Sequence, residues 1–478
     1  MPENTPTNKS HTGVIWLLIA AAFVVILNET IMSVAIPVLM HDLRIDAQTA
    51  QWLSTGFMLA MAVVIPLTGF LLERLTTRTV FIMAMSLFCA GTLLAGVAPG
   101  FVVLLLARLV QASGTAIMFP LLMTSILSLV PIERRGQVMG NVSIVISVAP
   151  ALGPTISGLI LQFLSWRWIF FFVLPIAAAM LVLGAVKLVN VSETRKVPVD
   201  LASVALSAIG FGALIYGLSQ VLIPALAVGA VALALFVWRQ LVLQRQDRPL
   251  LDLRTFAFRD FTFAIGVMMI AFAGLLGVAI LWPIYLQNVH GLSTVTTGLL
   301  LLPGGLAMGL LGPWVGRLYD RFGPRVLAVP GAILLTLALA SMTLVTAETP
   351  LWILLAMHVT VSLALAFIFT PMFTAGLNVL PPHLYSHGSA ILGTLQQVAG
   401  AAGTATLVSV MAITSDALMR TGTPPVAAQL HGITQAFWVA VGLAAGAVVC
   451  ALFVHGAKAE GDVADTTQQE AAAEAGVH

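Results

Sequence analysis

Charged residues are scarce in this chain, and only 8% of its 478 residues are Asp, Glu, Lys or Arg. A soluble domain carries about 25%, so the composition excludes a large soluble enzyme. Cysteine is almost absent, and the two thiols, Cys89 and Cys450, both fall within apolar stretches. That placement excludes an extracellular disulfide framework and a cysteine-ligated metal cluster. The sequence also lacks a phosphate-binding loop, a catalytic triad and metal-ligand spacing. We therefore expect neither an enzyme nor direct use of ATP, and no cofactor or metal.

Long apolar segments dominate instead. Hydrophobic residues make up 59% of the chain, and the mean hydropathy is +1.04. Apolar runs of about 20 residues cross a bilayer as helices, which predicts an all-α membrane protein. The predicted transmembrane helices are fourteen in number: 14–37, 50–72, 80–98, 101–123, 138–163, 166–187, 201–219, 222–241, 261–286, 296–316, 326–345, 351–375, 388–412 and 432–455.

The distribution of positive charge predicts the orientation in the membrane. If the N-terminus is cytoplasmic, only Arg44, Arg167 and Arg420 lie in outer loops, and Arg108 lies inside a span. All the other Lys and Arg residues, of 21 in total, then lie on the cytoplasmic side. Cytoplasmic loops carry such an excess of positive charge, so both termini are expected inside the cell. The net charge of +2 thus follows from topology, and we expect no nucleic-acid partner.

A short charged motif occurs twice, each time after a predicted span. The first copy runs from Gly69 through Glu73 and Arg74, and the second from Gly316 through Asp320 and Arg321 to Gly323. Each copy reads glycine, any residue, leucine, any residue, acid, arginine. Internal repeats with a binding site between them are typical of secondary transporters. The motif therefore predicts two related halves, and its charged groups are candidates for gating on the cytoplasmic side.

The spacing of the two copies predicts the domain organisation. They follow spans 2 and 10, eight spans apart, whereas two six-span halves alone would place them six apart. The simplest arrangement inserts two helices between two six-helix bundles. The predicted units are a cytoplasmic N-terminus at 1–13, a first bundle at 14–187, the inserted helices and linker at 188–260, a second bundle at 261–455 and a disordered cytoplasmic tail at 456–478. The only sizeable outer loop is expected from Asp416 to Gly432.

Two ionisable residues lie inside predicted spans, and both are candidates for proton coupling. Glu29, beside Asn28, is the only acidic residue well inside a span. An ionisable group in hydrocarbon costs several kcal/mol (about 2.5 or more) and usually faces a functional cavity, although a structural Glu bonded to a neighbouring helix is the alternative. Arg108 in span 4 needs acceptors or a carboxylate partner. It either responds to protonation of Glu29 or holds helices together.

Other candidates concern helix packing and the walls of a cavity. Span 5 carries Gly153, Pro154 and Gly158, which are suited to a kink and a close helix contact. His358 is either a second titratable site or a structural histidine. Phe367, Met372, Gln396, Gln397 and His358 are weak candidates for a substrate cavity, with helix packing as the alternative for the two apolar residues.

Together these segments resemble the major facilitator superfamily, specifically its fourteen-span drug:proton antiporter branch. The similarity covers roughly residues 14–455. The doubled loop resembles the superfamily's motif after span 2, and the segments Leu27–Pro37, Arg108–Gly114 and Gly153–Gly158 resemble the motifs of spans 1, 4 and 5. The sequence departs from the branch at Asn28, where an aspartate is usual, at Glu73 and Thr76 of the first loop copy, and at Ala112 in span 4.

The resemblance implies the major facilitator fold and a proton-coupled multidrug efflux antiporter. Such a protein exports amphipathic or cationic compounds by alternating access, powered by the proton gradient. We expect it in the bacterial cytoplasmic membrane, among lipids, as a monomer. Two alternatives remain open: an exporter of one endogenous metabolite or lipid-like molecule, and a membrane sensor that transports nothing.

Overall fold

Fourteen α-helices form the protein in a computed structural model that describes residues 8–188, 190 and 200–455. All fourteen are long and apolar enough to cross a membrane, which confirms the predicted all-α fold and its number of spans. Their bounds are α1 Asn8–Leu43, α2 Ala47–Arg74, α3 Thr77–Gly96, α4 Phe101–Leu129, α5 Arg135–Phe163, α6 Arg167–Lys187, α7 Leu201–Gln220, α8 Ile223–Gln244, α9 Arg259–Ile284, α10 Thr294–Phe322, α11 Arg325–Met342, α12 Leu351–Asn378, α13 Tyr385–Arg420 and α14 Pro425–Leu452.

Helix ends differ from the prediction in two places. The expected outer loop from Asp416 to Gly432 is mostly helical, because α13 continues to Arg420 and α14 begins at Pro425. Proline is compatible with the first residue of a helix, where no backbone N–H is needed, so this proline starts α14. At the other end of the chain, α1 begins at Asn8, inside the segment predicted to precede it. The predicted tail at 456–478 lies outside the described residues.

The helices α1–α6 and α9–α14 form two halves that meet mainly along two helix pairs. Helix α5 of the first half lies against α10 of the second, and α2 lies against α13. Glycines permit the first contact: a Cβ at Gly140 would lie 2.3 Å from the carbonyl oxygen of Gly312, and one at Gly316 would lie 2.0 Å from that of Gly136. Small residues bring membrane helices together in this way. The two loop motifs end α2 and α10 and lie beside these pairs.

The helices α7 and α8 pack against each other and beside both halves. A Cβ at Gly229 of α8 would lie 2.7 Å from the backbone nitrogen of Leu214 in α7, so this glycine allows close packing. Helix α7 contacts α2 of the first half and α13 of the second. Trp52 of α2 stacks on Tyr216 of α7 with ring centroids 5.7 Å apart. The pair therefore lies along the α2–α13 contact between the halves.

An ion pair fixes the start of α7 to α8. Asp200 caps α7 by accepting a hydrogen bond from the Ser203 N–H at 2.9 Å, and its two carboxylate oxygens accept from the Arg239 guanidinium at 2.6 Å each. These hydrogen bonds, led by the one from Arg239, hold the pKa of Asp200 well below its usual range. A bidentate pair of this kind defines orientation as well as distance.

Candidate functional site

A cavity of about 420 Å³ lies between the two halves near the middle of the helices. Its walls come from α1, α2, α4 and α5 of the first half and from α9, α10, α12 and α13 of the second. Most of the lining is apolar, and Glu29 is the only carboxylate on it among the described residues. A mostly apolar cleft with a few polar groups is the usual form of a small-molecule site. Its place between the halves matches that of sites in secondary transporters.

Glu29 projects from α1 onto this cavity and is half-buried. No Lys, Arg or His nitrogen in the described part of the chain lies within 4.0 Å of its carboxylate. Within the described residues, Glu29 is therefore an acid that is open to the cavity and is not held in a direct ion pair.

Arg108 lies behind this wall in a buried polar network. It is 1% exposed, and its Nη1 donates to Oδ1 of Asn28 at 3.3 Å and to Oε1 of Gln111 at 2.6 Å. The Gln111 amide nitrogen donates to Thr92 of α3 at 2.7 Å. The guanidinium carbon also lies 4.1 Å from the centroid of the Phe57 ring in α2. This network thus connects four helices, and Arg108 bonds the neutral Asn28 directly.

Gly153 brings α5 into contact with α1 beside Glu29. A Cβ at this position would lie 2.2 Å from Oγ1 and 3.0 Å from Cβ of Thr30, the residue after Glu29. Gly158 differs, because a Cβ there meets nothing within 4 Å. Pro154 lies inside α5 and is exposed. Of these three residues of span 5, Gly153 is the one that makes the close helix contact.

A Gly153→Ala variant should therefore be destabilised, since the added methyl group forces α1 and α5 apart where α1 carries Glu29. Overpacking of this kind costs about 1–3 kcal/mol. Gly158→Ala is the matched control, because its methyl group meets open space and alanine favours a helix over glycine by roughly 0.5–1 kcal/mol. The thermal stability of the two purified variants measures the difference. Equal behaviour of the two variants would contradict this role of Gly153.

The second half supplies the other wall of the cavity. His358, Gln396 and Gln397 line it. Phe367 and Met372 do not: Phe367 packs against Trp314 with ring centroids 6.2 Å apart, and Met372 is fully buried in the core. Both are packing residues. Large apolar residues lie on all sides of α12, so the sequence does not reveal which of them face the cavity.

The second loop copy joins the halves at the end of the bundle where α2 and α10 end, hereafter the motif end. Asp320 of α10 accepts hydrogen bonds from the backbone N–H groups of Gly136 and Gln137 in α5, at 2.8 and 2.9 Å. The first turn of a helix has free N–H groups and a positive dipole end. A carboxylate of one half therefore caps a helix of the other.

The first loop copy makes a different contact at the corresponding place. Oε1 of Glu73 in α2 lies 3.0 Å from Nε2 of His387 in α13. A Cβ at Gly69 would lie 3.3 Å from the same imidazole ring. Both loop acids thus form contacts between the halves. Asp320 contacts the start of a helix, and Glu73 contacts a side chain.

The remaining motif residues have local roles. The guanidinium of Arg74 lies over Phe70 of its own helix, and that of Arg321 over Phe322. Gly323 has φ +78°, a conformation that favours glycine. The corresponding Thr76 of the first copy has φ −67°, and its side chain caps α3 by accepting from the Thr79 N–H. At this position the first copy therefore has a threonine that caps a helix, where the second copy has a glycine.

Arg135, which sequence reasoning did not single out, also joins the halves at the motif end. It is 8% exposed, and its guanidinium donates to Asn378 of α12 at 3.0 Å and to the hydroxyl of Tyr385 in α13 at 3.2 Å. Ser143 of α5 bonds Thr370 of α12 at 2.6 Å, further along the same contact. The structure is thus closed at the motif end.

Comparison with known proteins gives one family. The sequence model described as Major Facilitator Superfamily matches residues 18–404. An uncharacterised MFS-type transporter of Bacillus subtilis, YcnB, is 43% identical over 452 residues, which cover 92% of this chain and 94% of that protein. The lincomycin resistance protein LmrB of Listeria monocytogenes is 39% identical over 452 residues, covering 92% and 95%.

Solved structures show the same fold at low sequence identity. The human organic anion transporter MFSD10 superposes with a TM-score of 0.68 at 16% identity, covering 94% of this chain and 100% of that one. The proton:xylose symporter XylE superposes with a TM-score of 0.66 at 13% identity, covering 95% and 98%.

Proposed function

The chain belongs to the major facilitator superfamily, and we propose that it is a proton-coupled multidrug efflux antiporter that exports amphipathic or cationic compounds by alternating access. That it is a multi-pass membrane transporter and not an enzyme follows from the family, the relatives and the fourteen apolar helices. The direction of transport, the proton coupling and the substrate class are the proposal. The names of its relatives, which include lincomycin and multidrug resistance proteins, support a role in antibiotic resistance.

The observation that carries the proposal is the position of Glu29. Its carboxylate faces a largely apolar cavity formed by both halves, and it lacks a direct ion pair in the described part of the chain. A charged carboxylate in such surroundings is costly unless a cation compensates it. A proton and a cationic substrate can each supply that compensation, so the two compete for one group. Because the two compete for this site, export of the cationic substrate requires that a proton enters in its place.

The contacts at the motif end support alternating access. Asp320, Glu73 and Arg135 join the halves there, and the cavity lies beyond these contacts near the middle of the helices. Breaking them would let the halves separate at the motif end and open the cavity to that side. In the proposed cycle, substrate displaces the proton from Glu29 when the cavity faces the cytoplasm. A proton from outside then displaces the substrate.

The proposed location is the bacterial cytoplasmic membrane, with the motif end and both termini in the cytoplasm. The excess of Lys and Arg on that side supports this orientation. With Cys89 and Cys450 replaced, a cysteine at Gly422, in the connection between α13 and α14, should react with a membrane-impermeant maleimide added to whole cells. A cysteine at Gln246, after α8, should react only in inverted vesicles. The reverse pattern would contradict the orientation.

Proton-driven uptake into liposomes tests the proposed function itself. Purified protein in liposomes with an acidic interior should accumulate radiolabelled lincomycin and tetraphenylphosphonium, and a protonophore should abolish the accumulation. Lincomycin is included because a relative is named for resistance to it. Protein-free liposomes provide the background.

The same assay separates the alternatives. An exporter of one endogenous metabolite or lipid-like molecule would leave both probes outside, yet would acidify the medium when its own substrate is added. A non-transporting sensor would move neither protons nor solutes under any gradient. Either result would overturn the multidrug proposal.

A further inference from the structure

A second cavity, hereafter the outer groove, has a volume of about 280 Å³ and runs along α1 between α5 and α6. Helix α1 packs against both α5 and α6, whereas those two helices contact each other much less, and the gap between them forms the groove. The lining includes Trp16, Ala20, Phe23, Asn141, Ile144 and Met180. Among the described residues, Asn141 carries the only amide on this lining, and no charged side chain lies there.

The outer groove opens to the bilayer and not to the cavity between the halves. Phe23 on the groove and Glu29 on the cavity are six residues apart in α1, so their side chains point about 120° apart around the helix. Asn141 and Ser147 of α5 are separated in the same way. Trp16 is 52% exposed, and all three helices are long and apolar enough to cross a membrane. Lipid tails therefore reach the groove directly.

The amide of Asn141 is a polar group that the protein leaves open to the groove. Its side chain is partly exposed, and it has no hydrogen-bond partner within the described part of the chain. Neither amide atom is among the enclosed, unbonded atoms of the described residues, so both are accessible. Hydrocarbon offers no hydrogen-bonding group, and an amide placed in it without a partner is unfavourable. The amide therefore needs a polar partner that reaches the groove from the membrane.

The depth of Asn141 in the membrane identifies that partner. Helix α5 has 29 residues and is about 43 Å long, which matches the thickness of a bilayer with its headgroups. The hydrocarbon core is about 30 Å thick, so it begins about 7 Å from either end of such a helix. Asn141 is six residues after Arg135, which places it about 9 Å from the motif end. This is the level of the ester carbonyls of glycerophospholipids, whose oxygen atoms accept hydrogen bonds.

The rest of the outer groove matches the same molecule. Trp16 lies near the motif end of α1, eight residues after its start at Asn8, and tryptophan is enriched at the interface between lipid and water. Deeper in the membrane, Ala20 and Phe23 continue the groove with apolar surface only. The groove thus has its polar group beside the interface and an apolar channel below it. A glycerophospholipid has the same order, with ester groups above and acyl chains beneath.

We propose that the outer groove is a binding site for a glycerophospholipid of the leaflet on the motif-end side. Asn141 donates a hydrogen bond to an ester carbonyl oxygen of this lipid, and one acyl chain lies along Ala20 and Phe23. The site recognises the ester and the chain and does not select a headgroup by charge, because no charged side chain of the described residues lines it. It is separate from the proposed transport site, since Glu29 lies on another face of α1.

A matched pair of lipids tests the contact with Asn141. One is dioleoylphosphatidylcholine, and the other is its dialkyl ether analogue, which has the same headgroup and chains but lacks the two carbonyl oxygens. Saturable binding of each tritiated lipid is measured with the purified, delipidated full-length protein in detergent. The readout is the ratio of the two affinities within each variant, which is insensitive to a general loss of folded protein.

The wild type should bind the ester lipid about two- to tenfold more tightly than the ether lipid, as expected for one hydrogen bond. Asn141→Leu should bring that ratio close to one, because leucine fills a similar volume and donates no hydrogen bond. Ser86→Leu is the control, since Ser86 is an exposed polar residue of α3 that does not line the groove. The control should keep the wild-type ratio.

A second pair of variants tests the position of the acyl chain. Ala20 is exposed and lines the groove, so the phenyl ring of Ala20→Phe should occupy the channel and weaken binding of both lipids. Ala179→Phe is the matched control, because Ala179 is an exposed alanine of α6 outside the lining, and it should bind both lipids as the wild type does. A lipid with a diazirine in its acyl chain should cross-link to α1, α5 and α6 in the wild type and much less in Ala20→Phe.

Each part of the proposal has a result that would overturn it. Equal affinities for the two lipids in the wild type, or an unchanged ratio in Asn141→Leu, would overturn the hydrogen bond to the ester. Wild-type affinity in Ala20→Phe, or cross-links confined to other helices, would overturn the groove as the place of the acyl chain. The absence of saturable binding to the wild type would overturn the site as a whole.

Discussion

Replacing Glu29 by Gln should abolish proton-driven accumulation of a cationic substrate. The amide keeps the size and hydrogen-bonding capacity of the carboxyl group but neither binds a proton nor carries a negative charge. The only carboxylate on the described cavity lining would then be gone. Cation binding and proton release depend on the same atom in the proposed cycle, so both should fail together. We expect the accumulation ratio of tetraphenylphosphonium to fall to that of protein-free liposomes.

Three comparisons make this result specific. Glu348→Gln removes a carboxylate from the exposed connection between α11 and α12 and should leave accumulation unchanged. Glu29→Asp should keep partial activity, since the acid remains but its position shifts. Binding of a neutral apolar probe to Glu29→Gln should persist, because the apolar walls are unaltered.

The alternative role of Glu29 makes the opposite prediction. A structural glutamate would be replaced well by glutamine, which still donates and accepts hydrogen bonds, and the variant would pump normally. Uptake by Glu29→Gln at the wild-type rate would therefore remove Glu29 from proton coupling. His358, the other titratable side chain on the cavity wall, would then be the residue to test.

The environment of Arg108 explains why the acid at position 29 is available. Two adjacent residues on a helix point about 100° apart. Asn28 uses its side chain to bond Arg108 at 3.3 Å, while Glu29 faces the cavity. An aspartate at position 28 would form a direct ion pair with Arg108 and would be less free to exchange a proton. The departure from the usual span 1 motif therefore gives the two roles to two adjacent residues. Asn28 bonds Arg108, and Glu29 is the acid that faces the cavity.

The number of helices and the doubled motif could be read from the sequence because both depend on local patterns. Hydrophobic length alone identifies a span, and the placement of Glu29 follows from the cost of a charge in hydrocarbon. The start of α14 is not evident from the sequence for an equally local reason. The pair Pro424 and Pro425 favours a loop by its pattern, whereas Pro425 begins α14.

Contacts between distant helices could not be read in this way. Nothing near Arg135 in the sequence indicates Asn378 or Tyr385 as its partners, and nothing near Glu73 indicates His387. Trp282 resembles any other aromatic residue of an apolar helix, and only the structure shows that it belongs to the cavity lining. In helices that are apolar all round, side-chain direction becomes known only from packing.

Asp320→Asn should shift the transporter away from the state that is closed at the motif end. Both carboxylate oxygens of Asp320 accept from backbone N–H groups at the start of α5. Asparagine retains one acceptor oxygen and loses the charge that the helix dipole favours. A helix cap is worth about 0.5–2 kcal/mol, and 1.4 kcal/mol is a tenfold change in an equilibrium. We therefore expect roughly a two- to thirtyfold loss of the closed state, with slower transport and unchanged expression.

A cysteine on the cavity wall reports this shift directly. Ser147→Cys places a thiol on the lining, in a background without Cys89 and Cys450. Its reaction with an impermeant maleimide from the motif-end side, measured in vesicles, should accelerate when Asp320→Asn is added. Asp260→Asn is the matched control, since Asp260 accepts from the His455 N–H within the second half and does not join the halves.

The two loop copies should also differ in how strongly they hold the motif end closed. Glu73→Gln should accelerate labelling less than Asp320→Asn, because Glu73 contacts one side chain of α13, whereas Asp320 holds two backbone groups of α5. Gln137 contributes a backbone N–H to the contact with Asp320. Its side chain therefore does not replace the carboxylate that Asp320→Asn removes. If labelling and flux in Asp320→Asn match those of the wild type, the contact between Asp320 and α5 does not control access. The glycine contacts between α5 and α10 would then have to hold the motif end closed by packing alone.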